Sequence, residues 1–592
     1  MRWIPRCTPE NERYVSGLSA EARLSPVVAR LLLARGIKTA SEADLFLQPK
    51  IAYLHSPYLM LGMKTAVERL RAGIERKEKI LIYGDYDVDG TTAVVILKTA
   101  IEICGGACQF HVPHRIREGY GMKDEVIERA AAEGVTLIIS VDTGIRAFAA
   151  AETCQRLGLD LIVTDHHLPE AENVPHAVAV LNPNQNGCAY PCKSLCGAGV
   201  AFKLAQALLE GCAGYMNLLA SFLKVVAIAT IADAVSLTGE NRVFVKLGLQ
   251  GLRSPVNPGL RALMEVAELS GKVSRPITSG DVAFRLAPRL NAAGRMDVAK
   301  DVVDLFTIKD ATLAREIAVR LNTLNADRQA EEARIVAEIH GRLDADEKQR
   351  GAYCIVVDGE GWHKGVIGIV ASRVVDRYNR PALVISREGE MAQGSGRSIE
   401  AFHLMDALES CSPLFTRFGG HAHAAGFALP SDKIGELRSA LESWAQAKLT
   451  PQDLQPVLRF DADISLDEVT PQLFESIRQL EPFGMGNPVP VFAARGVRLL
   501  APPRILKEKH AKFRVRQDGA AANGDGQSFR SFDALAWRMA DRVQRDGIIG
   551  GDLLDIAFTV EENSHPDFGG LQLSVCDFGR VNGAAESTTA GK

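Results

Sequence analysis

Between about residues 50 and 305, short runs of aliphatic residues alternate with segments whose apolar residues recur every three or four positions. The short runs predict β-strands, and the longer period predicts amphipathic helices. This alternation is typical of a parallel sheet covered by helices. We therefore predict an α/β fold with a parallel sheet for residues 51–305.

The hydrophobic pattern changes along the rest of the chain, and its 592 residues are too many for a single core. A long helical pattern over 306–350 predicts a connecting helix. Residues 351–450 alternate strand-like and helix-like runs, as a smaller α/β domain would. Residues 455–580 are rich in short strand-like runs and predict a β-rich OB-fold domain. Residues 1–50 form an N-terminal segment, and 581–592 are predicted to be a disordered tail.

The apolar stripe of the connecting helix is interrupted by four polar residues, Asn322, Asn325, Asp327 and Arg328. Such a break could line a cleft or be a solvated turn of the helix. We adopt the solvated turn as the simpler interpretation.

Acidic and imidazole side chains follow the predicted strands of residues 51–305. They are Asp85, Asp87 and Asp89 after KILIY, Asp142 after TLIIS, Asp165, His166 and His167 after LDLIVT, and Asp233 after a helix-like run. Because open α/β sheets bind ligands at the carboxyl ends of their strands, we expect these side chains to converge.

Carboxylate and imidazole groups gathered in this way suit a pair of divalent cations, with Mn²⁺ or Mg²⁺ favoured over a structural zinc ion. Each residue alone has a structural explanation. An Asp after a strand often caps a helix, Asp-Thr-Gly is common in turns, and a His pair can be buried and hydrogen-bonded. The arrival of so many such residues after successive strands favours the metal site.

Composition narrows the class of protein further. With 47% hydrophobic and 24% charged residues, the chain is an ordinary globular protein, and we find no uninterrupted apolar run that would cross a membrane. We expect a cytoplasmic protein without a signal peptide. The net charge of −4 argues only weakly against nucleic-acid binding, because cationic channels coexist with acidic metal sites.

Eleven cysteines, an odd number, suggest reduced thiols. Cys188, Cys192 and Cys196 have a C-x₃-C-x₃-C spacing that could suggest a metal or cluster site. The spacing lacks the paired CxxC pattern and a fourth ligand nearby. We interpret these residues as three ordinary thiols near a loop.

The segments GDYDVDG, SVDTG, VTDHH and ATIADAVSL together resemble the DHH phosphoesterase superfamily, in which DHH corresponds here to Asp165, His166 and His167. The resemblance implies a pair of Mn²⁺ or Mg²⁺ ions and places metal ligands at Asp87, Asp89, Asp142, His166 and Asp233. It also implies that Asp142 bridges the ions, and that Asp85, Asp165 and His167 orient ligands or approach the scissile phosphate.

A two-metal mechanism needs groups that hold the substrate's phosphates. The segment APRLNAAGRMD supplies Arg289, Asn291 and Arg295 among small residues that permit close backbone approach, and it resembles a motif of the exonuclease branch of this superfamily. The alternative is a glycine-containing loop with solvated arginines. Arg115 and Arg117, in HVPHRIREGYG, are weaker candidates of the same kind.

Residues 351–450 resemble the DHH-associated domain, which in relatives binds nucleic acid across the cleft from the metals. Its glycine-rich loops and a predicted helix start suit phosphate binding, and we predict contacts from His363, Arg373, Ser395, Gly396, Arg397, Gly420 and His421, which the resemblance implies act as a substrate clamp. Alternatively, the glycines serve tight turns and the histidines cap or pack.

The β-rich region 455–580 carries cations with an aromatic residue among them, as OB-folds that bind single strands do. We predict nucleic-acid contacts from Lys507, Lys512, Phe513 and Arg514. The alternative is an ordinary charged hairpin.

Domain order and length resemble the exonuclease branch of the superfamily. The resemblance implies 5′-to-3′ degradation of single-stranded DNA in recombination and repair, with single-strand-binding protein and a helicase as partners, and thus association with the nucleoid. The alternatives are a phosphodiesterase of short oligonucleotides and a non-catalytic replication scaffold. The complete ligand set favours an enzyme, and the OB-like region favours a long substrate.

Overall fold

The computed structural model describes residues 1–170, 173–270, 275–296, 298–517, 530–563 and 569–581. The chain divides into two compact units. One spans Lys50–Gln455, and the other combines Met1–Pro49 with the part of the chain from Pro456 onward. The predicted disordered tail lies, apart from Val581, outside the described residues.

The N-terminal part of the second unit is a strand followed by short helices. Its elements are β1 (Arg2–Pro5), α1 (Pro9–Glu12), α2 (Val15–Ala22), α3 (Pro26–Leu33) and α4 (Ala40–Leu47). The hydroxyl of Thr39 and the carboxylate of Glu42 form a capping box at the start of α4.

The unit Lys50–Gln455 begins with a parallel sheet of strand order β3-β2-β4-β5-β6. Its strands are β2 (Lys79–Tyr83), β3 (Cys108–His111), β4 (Val135–Val141), β5 (Asp160–Thr164) and β6 (Ala179–Leu181). The helices of this region are α5 (Met63–Glu75), α6 (Val88–Ile103), α7 (Asp124–Ala132), α8 (Phe148–Arg156), α9 (Gly197–Leu208), α10 (Tyr215–Ala232), α11 (Gly239–Gly251), α12 (Pro258–Val266), α13 (Ser279–Asp281), α14 (Ala287–Met296) and α15 (Lys300–Thr307).

Both faces of this sheet are buried. Ile82 and Ile139 face a core shared with α6, α9 and α10, whereas Leu81 and Ile138 face a second core shared with α7 and α8. Strands covered on both sides are apolar at nearly every position, which explains the continuous aliphatic runs in the sequence. The predicted parallel α/β fold is confirmed.

A long helix, α16 (Ala311–Ala345), leads to the second α/β region, as predicted. Asp310 caps α16 through hydrogen bonds from the amides of Thr312 and Leu313. The elements that follow are α17 (Glu347–Arg350), β7 (Ile355–Glu360), α18 (Ile367–Tyr378), β8 (Ala382–Glu388), β9 (Met391–Arg397), α19 (Leu404–Glu409), β10 (Arg417–His421), β11 (Ala424–Pro430) and α20 (Ile434–Lys448). The strands form a mixed sheet of order β10-β11-β9-β8-β7.

The remaining elements are mostly strands that curl into a small barrel. They are β12 (Val457–Phe460), β13 (Ala462–Asp463), α21 (Pro471–Gln479), β14 (Phe492–Leu499), β15 (Arg504–Leu506), β16 (His510–Gln517), β17 (Ser531–Ala536), α22 (Ala540–Arg545), β18 (Leu553–Asn563) and β19 (Gly570–Arg580). Pairing of β14 with both β16 and β18 closes the sheet. The predicted OB-fold is confirmed.

The first fifty residues have no structural role that the sequence alone indicates, and the fold supplies one. β1 pairs in parallel with β12, and Trp3 donates a hydrogen bond to Asp577 of β19. Leu31 and Leu32 of α3 lie in the same core as the barrel strands. Residues 1–49 therefore form part of the unit that contains the OB-fold.

Helix α10 passes a length-and-composition test for a membrane span, although Asn217, Ser221 and Lys224 interrupt its apolar residues. Half of it is buried inside the protein, as in the core helix of a globular domain.

The three cysteines of the C-x₃-C-x₃-C segment have separate partners. Cys188 accepts from the amide of Leu61, Cys192 contacts Ser194, and Cys196 contacts Thr230.

Candidate active site

The carboxyl edge of the parallel sheet gathers the acidic and imidazole residues that follow its strands. Nε2 of His166 lies 3.2 Å from Oδ1 of Asp142, 3.7 Å from Oδ2 of Asp89 and 3.8 Å from Oδ2 of Asp233. These residues follow β5, β4, β2 and α10 respectively, so the sheet and one helix bring together four separate parts of the sequence.

The potential ligands form three overlapping groups, each with ligand atoms within 4.8 Å of one another. The groups are Asp89, His166 and Asp233; Asp142, His166 and His167; and Asp85, Asp87 and Asp142. Asp142 belongs to two of them, including the one formed by the carboxylates after β2. A carboxylate in this position can serve two cations at once.

Asp87 combines the two interpretations that the sequence left open. Its Oδ1 accepts a hydrogen bond from the amide of Gly90 and so caps α6, yet the same side chain lies in the cluster with Asp85 and Asp142. Asp89 is buried in the first turn of α6. Its two oxygens accept the amides of Gly197 and Ala198 at 2.6 and 2.7 Å, so the N-terminus of α9 stabilises its negative charge.

The backbone is strained where two of these carboxylates are presented. Asp142 has a φ of +58°, and Ala234, directly after Asp233, has a φ of +55°. Such conformations are costly for residues other than glycine and occur often at functional sites. Gly197 approaches so closely that a Cβ atom there would lie 2.4 Å from Oδ1 of Asp142.

Asp165 is saturated by hydrogen bonds and supports its neighbours. Oδ1 accepts from the amides of His166 and His167 and lies 2.7 Å from Nδ1 of His167, and Oδ2 accepts from the amide of Ile145. Burial acts to raise the pKa of Asp165, but the hydrogen bond and charge of His167 leave it lowered. Burial acts to lower the pKa of His167, but the hydrogen bond to Asp165 and the charge of that carboxylate leave it raised.

The remaining carboxylates are poorly satisfied by the protein alone. Oδ1 of Asp85, Oδ1 of Asp142 and Oδ2 of Asp233 are buried without a hydrogen-bond partner. Burial first, and repulsion by neighbouring carboxylates second, raise the pKa of Asp85 and Asp142 well above the usual range and that of Asp233 to about 9. Divalent cations would satisfy these oxygens and remove the repulsion, so the residues fit such ions.

Helix α14 carries Ala287–Met296 of the APRLNAAGRMD segment, and its Asn291 lies against this site. Oδ1 of Asn291 accepts from the amide of Val88, directly after Asp87, so Asn291 braces the start of α6. Nε of Arg289 donates to Asn322 of α16 over 2.9 Å, and Arg295 donates to the carbonyl of Gly365. Of these three, Asn291 directly contacts the segment that carries the acidic residues.

Asn322 belongs to the polar break of the connecting helix, for which the simpler interpretation of the sequence is a solvated turn. That interpretation is wrong for Asn325 and Arg328, which are buried and hydrogen-bonded to each other, whereas Asp327 is exposed. Arg328 also pairs with Glu332 and lines, with Asn291 and Arg295, a cavity of about 300 Å³. The apolar stripe breaks where Arg328 of α16 meets the polar side chains of this cavity, Asn291 and Arg295.

Three arginines from separate segments converge near the acidic cluster. Burial first, then the charges of Arg115 and other arginines, lower the pKa of Arg295 to about 10. Burial and Arg115 likewise lower the pKa of Arg397. Arg397 donates to the hydroxyl of Ser395 over 3.1 Å, and Arg115 stacks on the ring of Tyr86. None of these arginines forms an ion pair within the described ranges, so the group is suited to an anion.

The other predicted clamp residues are placed less uniformly. His421, at the end of β10, is close enough to His167 and Arg146 for their charges, after burial, to lower its pKa. His363 accepts the amide of Gly365 just before α18, and Arg373 is paired with Glu332. Arg117 is exposed.

Gly396 and Gly420 have structural explanations. A Cβ atom on Gly396 would lie 2.9 Å from Leu404, and one on Gly420 would lie 2.3 Å from the carbonyl oxygen of Ala424. Both glycines allow strands β9 to β11 to pack and pair closely.

Of the residues predicted in the OB-fold, Phe513 requires a correction. Its side chain is buried in the barrel core and packs edge-on against Phe578, so it is not available to contact nucleic acid. Strand alternation explains the error, because Lys512 and Arg514 on either side point to the opposite face. Both of these cations pair with Asp533, whereas Lys507 is exposed at the turn between β15 and β16.

Comparison with known proteins identifies the three regions. Residues 79–230 match the DHH family, N-terminal domain, residues 349–447 match the DHHA1 domain, and residues 460–577 match the RecJ OB domain. The fold and the acidic cluster thus define a DHH-family protein with an associated DHHA1 domain and an OB domain.

Relatives extend the match over most of the chain. The single-stranded-DNA-specific exonuclease RecJ of Bacillus subtilis (strain 168) is 39% identical over 88% of this chain and 65% of its own length. The RecJ of Dickeya dadantii (strain 3937) is 37% identical over 87% of this chain and 90% of its own. The crystal structure of Thermus thermophilus RecJ in complex with Mn²⁺ superposes with a TM-score of 0.80 at 28% identity, covering all of this chain and 80% of that one. The chain belongs to the RecJ family.

Proposed function

We propose that this chain is a single-stranded-DNA-specific exonuclease that hydrolyses phosphodiester bonds with two divalent cations, Mn²⁺ or Mg²⁺. The observation that carries the proposal is the acidic cluster, in which Asp142 is shared between two ligand groups and buried oxygens lack partners. The RecJ relatives, which carry this activity in their names, support it.

Asp87, Asp89, Asp142, His166 and Asp233 would hold the cations, with Asp142 bridging them. When bound, the cations supply an activated water nucleophile and stabilise charge on the phosphate oxygens. The mixture of carboxylates with one imidazole suits Mn²⁺ or Mg²⁺. Asp85 would orient the ligands that follow it in the chain.

The protein's other groups would position the substrate. The hydrogen bond from Nδ1 of His167 to Asp165 and the raised pKa of His167 favour a protonated ring, whose Nε2 can donate to a phosphate oxygen. Arg115, Arg295 and Arg397, with Ser395, form a cationic site for a phosphate of the strand. Arg289 and Asn291 would brace the cleft wall between α14, α16 and the start of α6.

The domains take separate roles in this proposal. Residues 51–305 carry the hydrolytic site, residues 306–350 connect, residues 351–450 clamp the substrate, and residues 455–580 hold the strand. We further propose 5′-to-3′ polarity and a role in DNA recombination and repair. In that role the protein would work in the cytoplasm at the nucleoid, with a helicase and single-strand-binding protein.

The test is an end-labelling assay. The purified chain is incubated with Mn²⁺ and long single-stranded DNA labelled at either end, alongside duplex DNA, RNA and a dinucleotide. We expect immediate release of the 5′ label as mononucleotide, with the duplex spared. Preferential cleavage of the dinucleotide would instead indicate a short-oligonucleotide phosphodiesterase. Binding without cleavage would indicate a scaffold.

Asp142→Ala is the matched variant. It removes the shared carboxylate and should abolish hydrolysis while leaving DNA binding largely intact. Near wild-type activity of this variant in Mn²⁺ would contradict the assignment of the bridging residue.

A further inference from the structure

The pairing of β5 with β6 ends just before the two histidines of the acidic site. Thr164 is paired with Leu181, and the amide of Asp165 donates to the carbonyl of Leu181 over 3.0 Å. The next hydrogen bond of this parallel ladder would come from the amide of residue 183. That residue is Pro183, which has no N–H group, so the backbone after β6 cannot continue the ladder toward His166.

Two side-chain amides support the histidines beyond the point where the ladder ends. Nδ2 of Asn184 donates to the carbonyl of His166 over 2.9 Å, and Nδ2 of Asn182 donates to the carbonyl of His167 over 2.8 Å. Asn182 is fully buried, and its Oδ1 accepts the backbone amide of Asn184 over 2.7 Å. With its oxygen engaged in this way, the amide of Asn182 has one orientation, in which its NH₂ group faces His167.

The peptide group between the two histidines is therefore held at both ends. The amide of His167 donates to Oδ1 of Asp165 over 3.1 Å, and the carbonyl of His166 accepts from Asn184. Rotation of this peptide group would break one of the two hydrogen bonds. The rings of His166 and His167 lie 4.4 Å apart, so such a rotation would displace both imidazoles from the carboxylates around them.

The turn after β6 is fixed by contacts that do not involve the side chain of Asn184. Nε2 of Gln185, which is buried, donates to the carbonyl of Val180 over 2.7 Å. Nζ of Lys193 donates to the carbonyl of Pro183 over 2.6 Å. Among the hydrogen bonds of the described residues, the side chain of Asn184 contributes the one to the His166 carbonyl. Its role is therefore directed at the histidine segment rather than at its own turn.

We propose that Asn182 and Asn184 are positioning residues that act through the backbone of the two histidines and keep Nε2 of His166 among the metal-binding carboxylates. Nε2 lies 3.2 Å from Oδ1 of Asp142, and His166 belongs to two of the three ligand groups. A small rotation at His166 would therefore disturb both groups. Partners that orient a metal ligand affect metal affinity as the ligands themselves do. The inference rests on the proposed function and names residues that set the geometry of His166.

Asn184 is the better of the two residues to change, because it is partly exposed and the turn is held without its side chain. Asn184→Ala removes the donor to the His166 carbonyl. Asn186→Ala is a matched control, since Asn186 is the same residue type two positions further along and is exposed. Repeating the change in a His166→Ala background shows whether the effect passes through His166.

The experiment measures Mn²⁺ binding to the metal-free full chain by calorimetry, with thermal unfolding of the same samples. We expect Asn184→Ala to weaken Mn²⁺ binding by about 10-fold, the lower end of the range for residues that support metal ligands, and Asn186→Ala to bind as the wild type does. In the His166→Ala background, Asn184→Ala should cause no further loss, because two residues that act through one contact are not additive. A general loosening of the site would instead weaken Mn²⁺ binding in both backgrounds.

The outcomes separate this inference from the proposed function. If the wild-type chain binds no Mn²⁺, the proposed function fails and the inference with it. If the wild type binds Mn²⁺ and Asn184→Ala binds it equally well, or if the loss is the same with and without His166, the inference alone is overturned.

A second variant serves if Asn184→Ala loses its cooperative thermal transition. Asn184→Asp keeps the shape of the side chain but replaces the donor by an acceptor, and Asn186→Asp is its charge-matched control. The added negative charge by itself would strengthen Mn²⁺ binding. Weaker binding by Asn184→Asp than by Asn186→Asp would therefore support the inference, and equal or tighter binding would overturn it.

Discussion

The backbone amide of Gly197 donates a 2.6 Å hydrogen bond to Oδ2 of Asp89, joining the first residue of α9 to the first turn of α6. The same glycine leaves room for Asp142, whose Oδ1 would lie 2.4 Å from a Cβ atom at position 197. Gly197, which has no side chain, therefore fixes the spacing between the carboxylates of Asp89 and Asp142.

Gly197→Ala should weaken Mn²⁺ binding by about 10- to 100-fold, the range seen when residues supporting metal ligands are changed. The added methyl group must displace Asp142 or the start of α9. Mn²⁺ binding is measured by calorimetry on metal-free protein, together with its thermal unfolding. Gly199→Ala is the control on the same helix, because its Cβ would meet Leu195 at an ordinary 3.4 Å. Equal effects of the two changes on Mn²⁺ affinity would show that Gly197 has no special role.

Asp165→Asn should lower the pKa of His167. The carboxylate of Asp165 raises that pKa through its hydrogen bond and its charge, whereas burial acts to lower it. The side-chain amide of Asn has the same shape as the carboxylate but carries no charge. The pKa of His167 can be followed by NMR titration of the ring protons, assigned with a His167→Gln variant. An unchanged pKa would mean that Asp165 does not control the protonation of His167.

Removal of metal should make stability depend strongly on pH. In the folded protein the pKa of Asp233 is about 9, because of burial first and the carboxylates of Asp89 and Asp87 second, compared with a usual value of 3.8. A raised folded-state pKa stabilises the protein below about pH 4, and this stability is lost progressively as the pH rises through about 9. Asp85 and Asp142 act in the same direction.

The melting temperature of EDTA-treated protein should therefore fall between about pH 5 and about pH 9, by roughly 2–4 °C for each kcal/mol lost. Saturating Mn²⁺ should remove most of this slope, since the cations neutralise the same carboxylates. Asp85→Asn should reduce the slope in EDTA. A melting temperature that is independent of pH in EDTA would contradict the assignment of an unsatisfied acidic cluster.

Asp533→Asn should strengthen binding of single-stranded DNA by the barrel. Asp533 pairs with Lys512 and Arg514, each at 2.9 Å. Burial acts to raise the pKa of Asp533, but these two cations leave it lowered. Without the negative charge, both cations can neutralise phosphates, so affinity should rise several-fold. The slope of log K against log[salt] should become steeper by about 0.7 for each additional phosphate neutralised, and we expect one or two. Binding at several salt concentrations in EDTA measures both, with Asp541→Asn as a charge-matched control. Weaker binding by Asp533→Asn would indicate that Asp533 orients the two cations productively.

Local sequence determined the strands and the residues at their ends. Continuous aliphatic runs such as ILIY and LIIS predict buried parallel strands, since a strand covered on both faces has no polar side to reveal. Asp85 follows β2 after one intervening residue, and Asp142 and Asp165 directly follow β4 and β5, so a parallel sheet places them at one edge. For this reason the α/β fold and the acidic cluster were both predictable from the chain alone.

Tertiary structure decided which side chains that edge leaves accessible and which residues support them. The amides of Gly197 and Ala198 contact Asp89 only because α9 packs beside α6, and no local pattern indicates that approach. Asn325 and Arg328 looked like solvated residues because helical periodicity cannot show what a helix packs against.

The same limit explains the OB-fold and the first fifty residues. Phe513 and Trp537 are both aromatic residues near cations in the sequence, yet Phe513 is buried inside the barrel and Trp537, just after β17, is exposed. The pairing of β1 with β12 joins residues more than 450 positions apart, a separation that local preferences do not encode. Sequence alone determined the elements and the chemistry that follows them, whereas long-range packing decided which groups meet, because burial and pairing depend on neighbours distant in the chain.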